Sequence, residues 1–281
     1  MTARQWPAVT AVAWVAAQIA YPLTDGSARD RVTILIVALS AATALLHAWA
    51  ARGIGWAAGY AAIVGGVGAV AEMIGTASGF PFGCYHYAHG RLGPDLAQVP
   101  LLVPVAWVGG LYPIWVATGL LCRRTVTRVV ATAAGAVGWD LYLDPQMVAD
   151  GQWTWCSAQP GLPGIRDIPY TNYLGWFAVG ALMATLLVAL ERRCAPRGAG
   201  PAVPIAVLLW TWFGSALAHA VFLDLPASAG YGSLGLGLIA VPAVVWVLRA
   251  ASDRARPLAP GHTGGPDSER PRFTGRSETG P

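Results

Sequence analysis

Charge is what this sequence has least of. Only 11% of its 281 residues are Asp, Glu, Lys or Arg, against roughly 25% in an ordinary soluble domain. Lysine is missing altogether, so all 18 cationic side chains are arginines. No basic cluster interleaved with polar residues lies outside the apolar segments, which leaves a nucleic-acid partner without support. The four cysteines form no C-x-x-C pair, and the chain has neither a nucleotide-binding loop nor a metal motif. What it does have is 55% apolar residues and a mean hydropathy of +0.51. That balance excludes both a soluble enzyme and a disordered chain, and predicts an integral membrane protein.

A bilayer core of about 30 Å takes about 20 mostly apolar helical residues per crossing. Eight stretches qualify: Trp6 to Leu23, Arg31 to Ala51, Ile54 to Ile74, Val99 to Cys122, Val126 to Leu143, Tyr170 to Leu190, Val203 to Leu223, and Tyr231 to Arg249. The expected fold class is therefore all-α, a polytopic transmembrane helix bundle over residues 1–251. The first stretch reads as an uncleaved helix, because Arg4 is a thin basic region and Tyr21-Pro22-Leu23 is not a small-x-small cleavage site. Residues 252–281 turn rich in Pro, Gly, Ser and Arg with almost no large apolar side chains, the composition of a disordered tail. With eight spans, only Arg29, Arg31, Arg91 and Arg166 fall on one side, and the other fourteen arginines fall on the opposite side. The excess of positive charge on cytoplasmic loops then predicts a multi-pass cell-membrane protein with both termini inside.

Two stretches look alike at an offset of 72: Glu72 and Asp144 each end an outward-running helix, followed by Gly79 and Gly151, Cys84 and Cys156, and Asp95 and Asp167. Val99-Pro100 and Ile168-Pro169 each precede a tryptophan, Trp107 and Trp176, by seven residues counted from the proline. This pattern suggests a parallel internal repeat, spans three and four matching five and six, with Glu72 facing Asp144 across a pseudo-axis.

An ionised carboxylate in hydrocarbon costs several kcal/mol, so an acidic residue within a span marks a polar cavity. Glu72 falls in the last turn of span three, Asp140 and Asp144 in the last turns of span five, and Asp224 just past span seven, which contains His219. These groups collect at one depth near the outer interface. Asp140 and Asp144 are four apart, hence on one helical face, where close carboxyls push their proton affinities apart and make an acid and a base. Simpler roles exist for each. Asp144-Pro145 is also an Asx-type helix stop, Asp140 a cap for a neighbour, Glu72 a snorkelling interface residue, and Asp224-Leu225-Pro226 a loop start.

His219 is placed either to donate a hydrogen bond to a carboxylate or substrate oxygen, or to sit satisfied between helices; His47, away from the acidic cluster, reads as structural. Cys84, His86 and His89 have a superficially metal-like spacing, but no second pair converges. Cys84 and Cys156 both lie in outer loops, whereas Cys122 and Cys194 lie at inner helix ends. A Cys84–Cys156 disulfide is compatible with that placement and requires Cα atoms within about 7 Å. Most of the 13 tryptophans fit an interfacial belt. Trp107, Trp139, Trp153, Trp155 and Trp176 flank the acidic cluster instead, where aromatic faces attract a developing cation or line a site for a long apolar ligand.

Taken in order, Glu72, Gly79-Phe80-Pro81-Phe82-Gly83-Cys84-Tyr85-His86-Tyr87, Leu92-Gly93-Pro94, Val99-Pro100 and Trp107 form the first half of a longer pattern. Trp139-Asp140-Leu141-Tyr142-Leu143-Asp144-Pro145, Gly151-Gln152-Trp153-Thr154-Trp155, Ile168-Pro169 and Asn172-Tyr173-Leu174-Gly175-Trp176 form the second. The whole resembles the membrane carotenoid biosynthesis proteins that include γ-carotene 1',2'-hydratase and bisanhydrobacterioruberin hydratase, over about Ile54 to Leu190. The charged stretch Gly164 to Pro169 departs from that pattern by its length.

The resemblance implies cofactor-independent addition of water across the terminal double bond of an acyclic carotenoid ψ-end, giving a tertiary alcohol. It implies Glu72 and Asp144 as acid and base in either order, Asp140 as the group that tunes them, and Trp139, Trp153 and Trp155 as cation-stabilising or substrate-lining residues. Asn172 and Tyr85 are the groups placed to position water. The expected partners are the carotenoid, the lipid bilayer and other enzymes of the same pathway. The competing reading is a non-catalytic carotenoid carrier or scaffold, or a small-molecule transporter. A dead-end apolar pocket at the carboxyl cluster favours the enzyme, and a path across the membrane the transporter.

Overall fold

The computed structural model describes residues 5–156, 159–165, 167–193 and 198–255. Eight α-helices occupy the eight predicted stretches: α1 (Trp6–Ala20), α2 (Gly26–Arg52), α3 (Ile54–Ser78), α4 (Leu102–Leu121), α5 (Thr125–Ala149), α6 (Tyr170–Glu191), α7 (Ala202–Val221) and α8 (Pro226–Ala255). Six of them, all but α1 and α5, are long and apolar enough to cross a membrane, and the protein is a membrane protein. The two exceptions have different causes. α1 has 15 residues, about 22 Å at ~1.5 Å per residue, before Pro22 takes the chain into a single 3₁₀ turn, Tyr21–Leu23. α5 has the length, 25 residues, but carries Arg128, Asp140 and Asp144, and it is packed among α4, α6 and α8.

The helix ends correct the sequence reading where it matters for the site. α3 was expected to end at Ile74 and runs to Ser78, stopped by Gly79 in the left-handed conformation at φ 73°, a shape that a Cβ disfavours. α5 was expected to end at Leu143 and runs through Pro145 to Ala149. A proline cannot donate to the carbonyl four residues back. That carbonyl, on Leu141, accepts the Ser228 hydroxyl of α8 at 2.7 Å instead. The Asp144-Pro145 pair is therefore no helix stop, and Glu72 and Asp144 lie more than a turn inside their helices. α8 continues through the predicted tail boundary to Ala255; the rest of the predicted tail lies outside the described residues, as does Cys194.

The segments read from the sequence as outer loops form two short antiparallel pairs at one end of the bundle. β1 (Tyr85–Tyr87) pairs with β4 (Trp153–Trp155), Tyr85 opposite Trp155 and Tyr87 opposite Trp153. β2 (Asp95–Leu96) pairs with β3 (Val99–Pro100). Charged residues fasten this ribbon end. Arg91 donates to Asp30 at 2.7 Å and to the Asp150 carbonyl at 2.6 Å, Gln152 donates to both of these aspartates, and Arg29 reaches Asp150 at 3.3 Å. At the opposite end, Glu191 of α6 pairs with Arg52 of α2 at 2.8 Å and with Arg128 of α5 at 2.5 Å. Between the ends, α5 and α8 touch at backbone distance, since a Cβ on Gly138 would lie 2.5 Å from the Gly235 carbonyl carbon.

Candidate functional site

Alternation along the β1–β4 ribbon builds one wall of the site. Successive side chains of a strand point to opposite faces; Tyr85, Tyr87 and Trp153 are buried, Trp155 is half-buried, and His86 and Thr154 face outward. The outward pair hydrogen-bonds at 2.9 Å, which accounts for His86 without a metal. His89 likewise pairs with Asp95 at 2.8 Å. A disulfide joins Cys84 to Cys156 with Cα atoms 5.4 Å apart, and the Cys156 N–H donates to the Cys84 carbonyl at 2.8 Å. The ribbon that presents Tyr85, Tyr87, Trp153 and Trp155 is thus closed covalently at its end.

Glu72, 3% exposed, points from α3 toward this ribbon. One of its carboxyl oxygens accepts two phenols, Tyr85 at 2.5 Å and Tyr87 at 2.7 Å. Burial, and then the neighbouring Glu72 charge, hold both phenols well above the ordinary tyrosine range, so both remain donors at physiological pH. The close fit depends on Gly75, where a Cβ would lie 2.7 Å from both the Phe82 ring and the Tyr85 hydroxyl.

Asp140, 1% exposed, and Asp144, 5% exposed, face the same space from α5. Four residues apart on one helical face, they are electrostatic neighbours of each other and of Glu72. Asn172 of α6 donates its amide to both, at 3.2 Å to Asp140 and more closely to Asp144. These three carboxyls, with their protein-supplied donors, form the polar end of a cavity of about 510 Å³. Its remaining walls are largely apolar and aromatic. Trp107 stacks at a tilt on Trp176 with ring centres 4.3 Å apart and meets Trp139 edge-on at 5.2 Å. Trp139 in turn occupies the space that a Cβ on Gly110 would take, 2.5 Å from its ring.

Ten of the eleven residues singled out from the sequence line this cavity: Glu72, Tyr85, Trp107, Trp139, Asp140, Asp144, Trp153, Trp155, Asn172 and Trp176. His219 is the correction. It lies behind the wall, fully buried, with one ring nitrogen on Ser228 at 2.8 Å and the other on Gln146 at 3.0 Å. It is a satisfied interhelical histidine that braces the Ser228 hydroxyl at the Pro145 position. Asp224 also stays outside, exposed in the α7–α8 connection with φ 55°. His47 is structural, bonded to Tyr112 at 2.8 Å and to the Gly200 carbonyl at 3.0 Å. The reading missed Tyr87, Gln146 and Tyr21, all of which line the cavity. For Tyr87 the signal was present in the Tyr85-His86-Tyr87 alternation, had that segment been read as a strand. Among the described residues no three His, Cys, Asp or Glu side chains are grouped to hold a metal ion.

Chemically, the arrangement offers a pair of carboxyls bridged by one amide, a separate carboxyl facing two O–H donors, and aromatic faces beside a largely apolar space. Acid-base work on an apolar substrate is what such a site suits. Bisanhydrobacterioruberin hydratase of Haloarcula japonica is 30% identical over 120 residues, covering 41% of this chain and 39% of that protein, so the match spans well under half of the relative's length. No solved structure matches. The family model described as carotenoid biosynthesis protein matches residues 32–241, three-quarters of the chain, and the chain belongs to that family.

Proposed function

We propose that this protein is a carotenoid 1,2-hydratase, adding water to the terminal C1=C2 double bond of an acyclic carotenoid ψ-end without a cofactor. The observation that carries the reading is the convergence of Glu72 with the Asn172-bridged Asp140–Asp144 pair at the polar end of an aromatic-lined cavity. The name of the Haloarcula japonica relative points the same way.

In this reading the aspartate pair is the acid. Asp144 passes a proton to C2, the π electrons form the new C–H bond, and a tertiary cation develops at C1. The faces of Trp107, Trp139, Trp153, Trp155 and Trp176 stabilise that cation. A water held by Glu72 and the Tyr85 hydroxyl forms the C–O bond at C1 and gives up a proton to Glu72. Returning this proton to the aspartate pair restores the site, and the net change is the uptake of one water. Asp140 acts through Asp144 as the group that positions and retains the proton, and Asn172 orients both.

The arginine distribution and the disulfide support one orientation together. A structural disulfide persists in an oxidising compartment, and Cys84–Cys156 lies at the end opposite the Arg52–Glu191–Arg128 cluster. We place the ribbon end and the site at the outer membrane face, with eight spans and both termini in the cytoplasm. The internal repeat is supported by the antiparallel pairing of the segments around Cys84 and Cys156. The cavity reaches Ser40, Ile114 and Val207 but no described residue nearer the far ends of α2, α4 and α7, which favours a pocket that ends within the bundle over a path across the membrane. Other enzymes of the carotenoid pathway are the natural partners for handing on such a pigment.

The test is the purified protein in lipid vesicles with lycopene or γ-carotene in ¹⁸O-labelled water and nothing else added. A product heavier by one water, with the label in its tertiary hydroxyl, is expected. Unchanged pigment alongside membrane-inserted protein would reject the hydratase reading.

A further inference from the structure

The cavity is longer than the carboxyl cluster needs. From Glu72 and Asp144 it continues between α1 and α7, along Trp14, Gln18, Ile19, Trp210, Gly214 and Leu217. At that seam several lining residues are themselves exposed on the surface: Ile19 (52%), Leu23 (71%), Leu217 (47%) and Phe222 (55%). A rim of large aliphatic and aromatic side chains on the flank of an apolar bundle opens toward lipid tails. The same four residues would be poorly placed at an aqueous mouth.

The seam is also lightly joined. α1 is fixed to α2 by Thr43 donating to Thr10 at 2.9 Å. Toward α7 it is joined by the Trp210 indole donating to Gln18 at 2.8 Å. Gly214 lies one turn beyond Trp210, and a Cβ there would come within 3.1 Å of that indole. A side chain at this position would narrow the trough where it passes the tryptophan.

We propose that the α1–α7 seam is a lateral portal and binding trough for the unreacted polyene of the substrate, resting on the hydratase reading above. The occupant is one long apolar acyclic chain whose reacting end lies at Glu72 and Asp144. Its remainder passes Trp210 and Gly214 and leaves through the Ile19–Leu217 rim into the bilayer. Continuity with the carboxyl end argues for this occupant, because the ionisable carboxyls among the described lining residues, Glu72, Asp140 and Asp144, all lie at that one end. A chain threaded in this way presents one end per binding event, so a substrate with two reactive ends leaves and re-enters between hydrations.

The experiment compares wild type with Gly214→Phe, and independently with Ile19→Trp on the opposite helix, in lipid vesicles. Lycopene and a short terpenoid alkene with the same terminal group serve as the two substrates. The ratio of kcat/KM for lycopene over the short alkene is expected to fall at least tenfold in both variants, chiefly through KM. A second readout needs no turnover: Glu72→Gln should bind lycopene with an induced visible circular-dichroism band, and adding Gly214→Phe should abolish it. An unchanged ratio and an unchanged band in both variants would overturn the portal. If wild type hydrates neither substrate while the band appears and responds to Gly214→Phe, the hydratase reading fails and the trough stands.

Discussion

Glu72 and the Asp140–Asp144 pair face the same cavity, yet the protein solvates them differently. On the α3 side, one carboxyl stands alone and a single oxygen takes two phenolic O–H groups from β1. On the α5 side, two carboxyls a helical turn apart divide the amide of Asn172 between them. Charge-assisted hydrogen bonds from fixed donors favour an anion. A second carboxyl at close range favours keeping a proton. Under the proposed hydration, this contrast lets one buried pocket prepare an acid and a base from the same functional group, by surrounding one with hydroxyl donors and the other with its own kind.

The most severe way to break this contrast is Asp144→Asn, which leaves shape and hydrogen bonding but removes the proton donor. A positioned acid is worth about 10² to 10⁴ in rate, so pigment analysis should find hydration reduced by that factor with the protein still in the membrane. Tyr85→Phe and Tyr87→Phe act on the other wall. Hydrogen bonds to a charged group contribute about 1.5–3 kcal/mol, so each variant should slow hydration about tenfold or more, and steady-state kinetics should show the double variant slower than either.

Stability separates the walls further. Replacing Cys84 or Cys156 by serine opens the ribbon that carries the tyrosines, and thermal unfolding in detergent should show a loss of about 2–4 kcal/mol. Gly75→Ala forces Phe82 and Tyr85 aside. Overpacking of this kind costs about 1–3 kcal/mol, and here it should lower activity as well, because the displaced atom is the Glu72 donor. The smallest effect on chemistry is expected for His219→Ala. It leaves Ser228 and Gln146 without their partner, a stability cost of about 1–3 kcal/mol, but the hydration rate should stay within a few-fold of wild type.

The sequence made the eight helical segments legible because uninterrupted apolar runs of the right length admit few other structures. It also made the carboxyls legible, since an acidic residue among Val70-Ala71 and Met73-Ile74 has no cheap place in a bilayer except a polar pocket. Helix ends were harder. Pro145 reads as a terminator until Ser228, more than eighty residues away, supplies the missing hydrogen bond to Leu141, and no local pattern contains that information. His219 was ambiguous for the same reason: its partners, Gln146 and Ser228, come from two other helices. Tyr87 escaped because a three-residue alternation is too short to be recognised as a strand without its partner β4.

The division of labour between the two walls is tested most directly by expressing wild type and Glu72→Gln side by side in cells that accumulate lycopene or γ-carotene and following the pigment by chromatography and mass spectrometry. Wild type should convert the pigment to a tertiary alcohol heavier by one water, while Glu72→Gln, equally abundant in the membrane, should leave it unconverted. Equal conversion by the two proteins would contradict the account, because Glu72 and the tyrosines that hold it would then have no part in the reaction.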